Sequence, residues 1–321
     1  MSFIPKVSVL IPCYNVERYV QQCVESVLQQ TLQDIEIICI NDGSKDNTLS
    51  ILRDFEKRDS RIRIIDKSNS GYGDSMNKGL SLAKGEYVGI VESDDFVNPD
   101  MFNNLYETAL RENAEIVRSC YYENKAGIDT FIGNDWVPKN RTHNPNQETA
   151  AFLQAPAIWS AIYRRSWLEK EGITFLPTPG ASYQDTSFAF KCYACCTRFH
   201  MLDKAFLHYR TDNEASSVNN PGKAMCVCDE WNEIYRFVRK DKKRFGHLYS
   251  IMPFIQYGTY KWNFERLSGK LKYKFLGVWA REIFGHFFRG ELPLSRLDPH
   301  IKIRLKSVLV KAFVNRKETL P

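Results

Sequence analysis

The sequence predicts an α/β protein built on a doubly wound, mostly parallel sheet, with a helical extension at its C-terminal end. Over the first hundred residues, apolar runs alternate with segments of helical spacing, and several of those runs end in short polar stretches. After about residue 221 both the periodicity and the charge change character. A chain of 321 residues with 43% hydrophobic content suggests about two domains with real cores.

The elements follow in order. Val7–Ile11 is an unbroken apolar run, as expected of a strand buried on both faces. Glu17–Gln30 carries helical spacing through Tyr19, Val20, Cys23, Val27 and Leu28. Ile35–Ile40 is the second strand, followed by a helix over Asp46–Arg58, and Ile62–Ile65 is the third. A helix from about Asp74 to Ala83 leads into a fourth strand, Tyr87–Val91. Beyond about residue 106 the alternation fades. The polar, turn-rich stretch Asn134 to Thr149 predicts a surface loop, apolar periodicity returns at Trp159–Arg165, and Phe188–Cys196 has helical character. From Cys226 the pattern is helical and aromatic, with Trp231, Tyr235, Phe237, Phe275, Trp279, Phe284, Phe287 and Phe288 interleaved with Lys and Arg. The expected divisions are 1–105, 106–221 and 222–321.

The net charge of +6 hides an asymmetry. Residues 1–221 hold 23 Lys and Arg against 29 Asp and Glu, whereas residues 222–321 hold 21 against 9. Nine cysteines, an odd number in mostly apolar contexts, suit reduced thiols rather than a disulfide framework. Cys192, Cys195 and Cys196 lie in the helical stretch instead of paired knuckles, which argues against a zinc site. No secretory leader pattern opens the sequence, and no window holds the roughly 18 apolar residues of a spanning helix. A cytoplasmic location is expected, with any membrane contact peripheral and at the inner face.

Chemistry concentrates at the strand ends. Glu92-Ser93-Asp94-Asp95 follows the fourth strand, and crowded carboxylates repel unless a cation with hard-oxygen preference, Mg²⁺ or Mn²⁺, relieves them. The alternative is an acidic turn capping a helix near Pro99. Pro12-Cys13-Tyr14-Asn15 and Asn41-Asp42-Gly43-Ser44 end the first two strands. In a doubly wound sheet, ligands bind outside the carboxyl ends, so the three polar ends should share one rim and form a nucleotide pocket. Gly71-Tyr72-Gly73 lacks the third glycine of a dinucleotide fingerprint, Met76 standing in its place, and reads as a loop feeding a helix N-terminus that could face phosphate.

Taken together, VSVLIPCYN, IICINDGSKDNT, AKGEYVGIVESDDFVNPDMF and SYQDTSF resemble, in order, the motifs of a family 2 glycosyltransferase across roughly residues 6–215. The resemblance implies a glycosyltransferase A-type fold, a Rossmann-like sheet, and a metal-dependent, inverting transfer from a nucleotide-sugar, expected to be a UDP-sugar. The acceptor would be a hydroxyl of a glycan or lipid-linked molecule in cell-surface polysaccharide or lipo-oligosaccharide synthesis. Residues 1–105 would bind the donor and 106–221 the acceptor. The implied donor-binding residues are Pro12, Tyr14, Asn15, Asp42, Asn69, Glu92, Ser93 and Asp95, with Tyr14 lying against the uracil ring. Asp94 is the implied ligand of Mn²⁺ or Mg²⁺, with Glu92 and His208 as further candidates, and Asp185 is the implied general base.

Asn41, Glu92 and Gln184 depart from the family's more frequent Asp, Asp and Glu, and the arginine often found in the helix around Ser75-Met76-Asn77 is absent. Asp185 could instead cap a helix before Thr186-Ser187-Phe188. Those departures keep open a catalytically silent nucleotide-sugar-binding scaffold. The basic segment 222–321 could meet an anionic membrane surface or a second copy of the chain in a homo-oligomer. A nucleic-acid-binding protein is the weakest alternative, because no nucleic-acid-binding signature accompanies that charge, and nucleic acid is not an expected partner.

Overall fold

The computed structural model describes residues 4–213, 223–295 and 297–318. Two compact units partition the chain, Met1–Ser216 and Ser217–Pro321. The boundary expected between residues 221 and 222 lies outside the described residues.

The first unit opens with β1 (Val7–Cys13), α1 (Val20–Leu28), β2 (Ile35–Asp42), α2 (Thr48–Arg58), β3 (Ile62–Lys67), α3 (Tyr72–Leu82) and β4 (Tyr87–Ile90). Their apolar runs pair in parallel in the order β3-β2-β1-β4. Strand order therefore reverses beside β1, the topological switch point at which ligands bind in open α/β sheets. Helix α1 begins three residues later than the periodicity predicts. The Val16 and Glu17 amides donate instead to Thr48 Oγ1 and Asp46 Oδ2 at 2.9 and 3.0 Å, which pins this stretch as part of the rim.

The second half of the unit comprises β5 (Phe96–Val97), α4 (Met101–Arg111), β6 (Ile116–Lys125), β7 (Ile128–Ile132), β8 (Thr142–His143), β9 (Ala161–Arg164), α5 (Arg165–Glu171), α6 (Gln184–Cys195) and β10 (Phe199–Arg210). Strand β9 joins β4 and β6 antiparallel, β10 runs parallel to β6, and β5 returns antiparallel on β10. The stretch 134–149 is only partly the surface loop its polarity predicts. Asn134, Val137 and His143 are buried, and β8 pairs with β10.

Gly73 exists for close packing. A Cβ there would overlap the Leu176 carbonyl, because the start of α3 lies directly on the 176–180 backbone. Replacing Gly73 by Ala is therefore expected to destabilise the chain by about 1–3 kcal/mol, the cost of overpacking a close contact. Urea unfolding with an unchanged midpoint would contradict this.

The second unit is helical: α7 (Cys226–Lys240), α8 (Lys242–Phe245), α9 (Met252–Arg266), α10 (Gly269–Phe288) and α11 (Pro299–Glu318). Its core is aromatic, with Trp231, Tyr235, Tyr260, Phe275 and Trp279 buried. His286 stacks on Tyr235 at 3.6 Å. Glu291 is buried but compensated by Arg239, Arg289 and His286, each at 2.9 Å. No helix is long and apolar enough to cross a membrane among the described residues.

Candidate active site

The loops after β1, β2, β3 and β4 are bonded into one rim. Asn15, in the left-handed conformation that Asn tolerates, accepts from the Lys45 amide at 2.7 Å and donates its own N–H to Ser44 Oγ at 3.1 Å. Pro12 is buried in β1, while Tyr14 is half exposed on the rim. Asp42 is buried and accepts from Lys67 Nζ and from the Ser70 and Gly71 amides, the latter two at 2.9 Å. Its carboxylate thus fixes the loop after β3, and Asn69 Nδ2 closes the same loop onto the Asp42 carbonyl at 3.0 Å. Gly43 is needed here: its φ of +71° is left-handed, and a Cβ would stand 2.8 Å from the Asn69 nitrogen.

Two departures from the family pattern have structural explanations. Asn41 donates Nδ2 to Asp66 at 2.8 Å, a bond that an ionised aspartate could not make. Gln184 is buried, accepts from the Ser182 amide at 2.5 Å and donates to Thr178 Oγ1 at 3.0 Å, so it organises the loop before α6 with both ends of its amide.

The acidic run sits at the carboxyl end of β4. It does not cap α4, because β5 intervenes and the N-cap of that helix is Asp100. Glu92 accepts from the Tyr72 hydroxyl at 2.6 Å. Burial pushes its carboxyl up to about 8, with the Asp94 and Asp185 charges adding to the rise and the Tyr72 bond opposing it. Ser93 is buried beside the Cys13 thiol. Asp94 is partly accessible and takes one hydrogen bond from Asn213 Nδ2 at 2.8 Å. Asp95 is buried, and its Oδ1 accepts from the Arg210 amide at 2.8 Å while its Oδ2 has no partner among the described residues. Burial, followed by the Asp94 charge, holds the Asp95 carboxyl well above the usual range.

Asp185 joins this group from α6. It lies in the first turn of the helix rather than at the N-cap, which is Tyr183. Burial raises its carboxyl to about 6, against hydrogen bonds from the Thr186 amide and hydroxyl that favour the charged form. Tyr209, stacked on Trp159 at 5.1 Å, is pushed up by burial and then by the charges of Asp95, Asp94, Asp185 and Glu92. All four carboxylates therefore share one electrostatic neighbourhood.

His208 is engaged on both ring nitrogens, Nε2 with Asn98 Oδ1 and Nδ1 with Asp129 Oδ2, both at 2.9 Å, and its ring is stacked between Phe96 and Tyr122. One expectation is corrected: the N-terminus of α3 does not present its first amide to phosphate, since the Tyr72 N–H donates to Gly180 O at 2.9 Å.

Two residues at the site carry no signal in the sequence. Tyr72 reaches Glu92 across the rim, and Arg210 clamps the acidic loop by donating its amide to Asp95 and its Nε to the Asp94 carbonyl at 2.9 Å. Their spacing does not distinguish them from other tyrosines and arginines.

Among the described residues, no three His, Cys, Asp or Glu side chains already form a metal-binding group. The donors present are nonetheless hard carboxylate oxygens, one of them buried without a partner. Such a set fits Mg²⁺ or Mn²⁺, which take only one or two protein carboxylates and complete their shell with water and phosphate.

Comparison with known proteins bears on the same region. The family described as "Glycosyl transferase family 2" matches residues 8–172. The uncharacterized glycosyltransferase EpsJ of Bacillus subtilis (strain 168) is 34% identical over 226 residues, 68% of this chain and 65% of that protein. Chondroitin synthase of Pasteurella multocida (strain Pm70) is 37% identical over 126 residues, 39% of this chain and 13% of that protein. The matched regions thus span less than two thirds of each relative's own length. The crystal structure of S. aureus TarS 1-349 in complex with UDP superposes with a TM-score of 0.72 at 18% identity, covering 97% of this chain and 88% of that one, and so shares the fold.

Proposed function

The chain belongs to glycosyl transferase family 2, and from this premise we propose that it transfers a sugar from a UDP-sugar to a hydroxyl of a glycan or lipid-linked acceptor, with inversion at the anomeric carbon. The observation that carries the proposal is the meeting of Glu92, Asp94, Asp95 and Asp185 beside the switch point of the sheet. The UDP in the TarS structure supports a uridine nucleotide as donor, and a relative named chondroitin synthase supports polysaccharide synthesis as the setting.

In this reading residues 1–105 hold the donor and 106–221 receive the acceptor. Tyr14, exposed on the rim, stacks on the uracil base. Pro12 and Asn15 shape that side of the pocket, while Asp42 acts through the Asn69–Gly71 loop that it fixes. Asp94, with Glu92 or Asp95 beside it, would hold Mn²⁺ or Mg²⁺, which would supply positive charge to the diphosphate leaving group. Asp185 accepts the proton of the acceptor hydroxyl as that oxygen bonds to the anomeric carbon and the bond to the diphosphate breaks. The departing diphosphate keeps the bonding electron pair, and a single displacement inverts the centre. Arg210 and Tyr72 keep the carboxylates in place.

A thermal-shift and product-release screen of UDP-, GDP- and dTDP-sugars, with and without Mn²⁺ or Mg²⁺, tests this function. A UDP-sugar at about 100 times its Kd should stabilise the protein by about 2.7 kcal/mol, and one such donor should release UDP. Binding without turnover for every acceptor and donor would favour a silent scaffold. No response to any uridine nucleotide would overturn the proposal.

A further inference from the structure

The aromatics of the helical unit divide into two populations. Phe275 and Trp279 of α10 are buried, whereas Tyr273, Phe284, Phe287 and Phe288 are exposed, Phe288 at 81%. Tyr273, Phe284 and Phe288 share an arc of about 100° on a 3.6-residue helix with Lys270, Lys274 and Arg281. The one acid of α10, Glu282, turns away from this face: it accepts from Tyr260 at 2.6 Å and from Gln256 at 3.3 Å.

Helix α11 repeats the arrangement. Ile301, Leu305 and Val308 are buried, while Ile303, Val310 and Val314 form an exposed stripe, Ile303 at 66%. Lys306 flanks that stripe, and residues 299–314 contain no Asp or Glu.

We propose that the outward faces of α10 and α11 dock on an anionic phospholipid surface, with the aromatic and aliphatic side chains entering the headgroup boundary and the lysines and arginines meeting lipid phosphates. Charge complementarity selects this occupant. A second copy paired through these same helices would set one strongly basic face against another, whereas an anionic leaflet attracts it. Neither helix spans a bilayer, so the contact is interfacial. The inference stands apart from the transfer chemistry, because its test needs neither donor nor acceptor.

The full chain is sedimented with vesicles of pure phosphatidylglycerol or of pure phosphatidylcholine, at low and high salt. It should pellet with the anionic vesicles alone and be released by salt. The triple variant Lys270→Gln, Lys274→Gln, Arg281→Gln should lose partitioning on the order of a hundredfold, since each basic residue near the surface is worth about fivefold. Phe284→Ser with Phe288→Ser should also lose partitioning, while Phe288→Leu, which keeps an apolar side chain, should retain it. Equal pelleting with both lipids, no pelleting with phosphatidylglycerol, or a concentration-dependent dimer dissolved by the serine pair would each overturn the proposal. Circular dichroism checks that the variants are folded, and the lipid selectivity of the parent chain decides the matter even if they are not.

Discussion

Asp185→Asn should lower kcat by about 10²–10⁴-fold, the usual contribution of a positioned general base, while leaving UDP affinity unchanged. The amide keeps the shape of the side chain but cannot take the acceptor's proton. In the parent enzyme the carboxylate must be ionised to act, and burial has raised it to about 6. Activity should therefore be full above that pH and fall as the pH drops through about 6. Stability supplies a second, opposite signature. An unfolded aspartate titrates near 3.9, so between about 4 and 6 the folded chain holds more protons than the unfolded one. Stability consequently falls as the pH rises through that window, and the ionised group is a liability above it. Asp185→Asn removes the liability, so its Tm at pH 8 should equal or exceed that of the parent. A purely helix-capping aspartate predicts the reverse, near-normal turnover with a loss of about 0.5–2 kcal/mol of stability. Calorimetric UDP titrations, steady-state rates and thermal melts of the two proteins separate these outcomes.

The stability argument depends on Asp185 being half-buried and partly desolvated by the fold, and that placement shows where sequence stops being informative. Strands β1, β2 and β4 are buried along nearly their whole length and read as apolar runs. Strands β6 and β10 belong to the same sheet but bury Arg118, Ser119, Asn124, His200 and His208. Arg118 is tolerated because Tyr193, Ser160 and the Ala155 carbonyl accept its hydrogen bonds from 75, 42 and 37 residues away, a compensation that no local period reveals. The crowded carboxylates after β4 are conspicuous in the sequence for the same reason that they are reactive, because nothing adjacent neutralises them. Tyr72 and Arg210 act across 20 and 116 residues, and only the folded rim brings them to Glu92 and the Asp94 carbonyl. In the helical unit the aromatic spacing is legible, but whether a ring faces inward, as Trp279 does, or outward, as Phe288 does, depends on neighbouring helices.

Asp94→Ala should abolish most of the Mn²⁺ enhancement of UDP affinity, on the order of 10- to 100-fold, a range that outer-shell partners of a metal already reach and a direct ligand should equal. Three carboxylates compete for the role, and their surroundings rank them. Glu92 is held by Tyr72 and raised to about 8, so near neutral pH without a cation it is largely protonated. Asp95 is pinned by the Arg210 amide, with its other oxygen enclosed and its carboxyl pushed well up. Asp94 is the more accessible and, among the described residues, its side chain is held by Asn213, so it can present an oxygen to an ion without first breaking a buried contact. The metal-free measurement gives the opposite sign. On the proposed reading the Asp94 carboxylate faces the diphosphate, so its removal should leave UDP binding in EDTA unchanged or tighter. The mutation also lowers the charge that raises Glu92 and Asp95, so both ionise more readily and can partly substitute; Asp94→Asn, with the same charge change, should behave alike. If calorimetry finds the Mn²⁺ dependence intact in both variants but lost in Asp95→Ala, the ligand is Asp95, and its enclosed Oδ2 is the atom that awaits the ion.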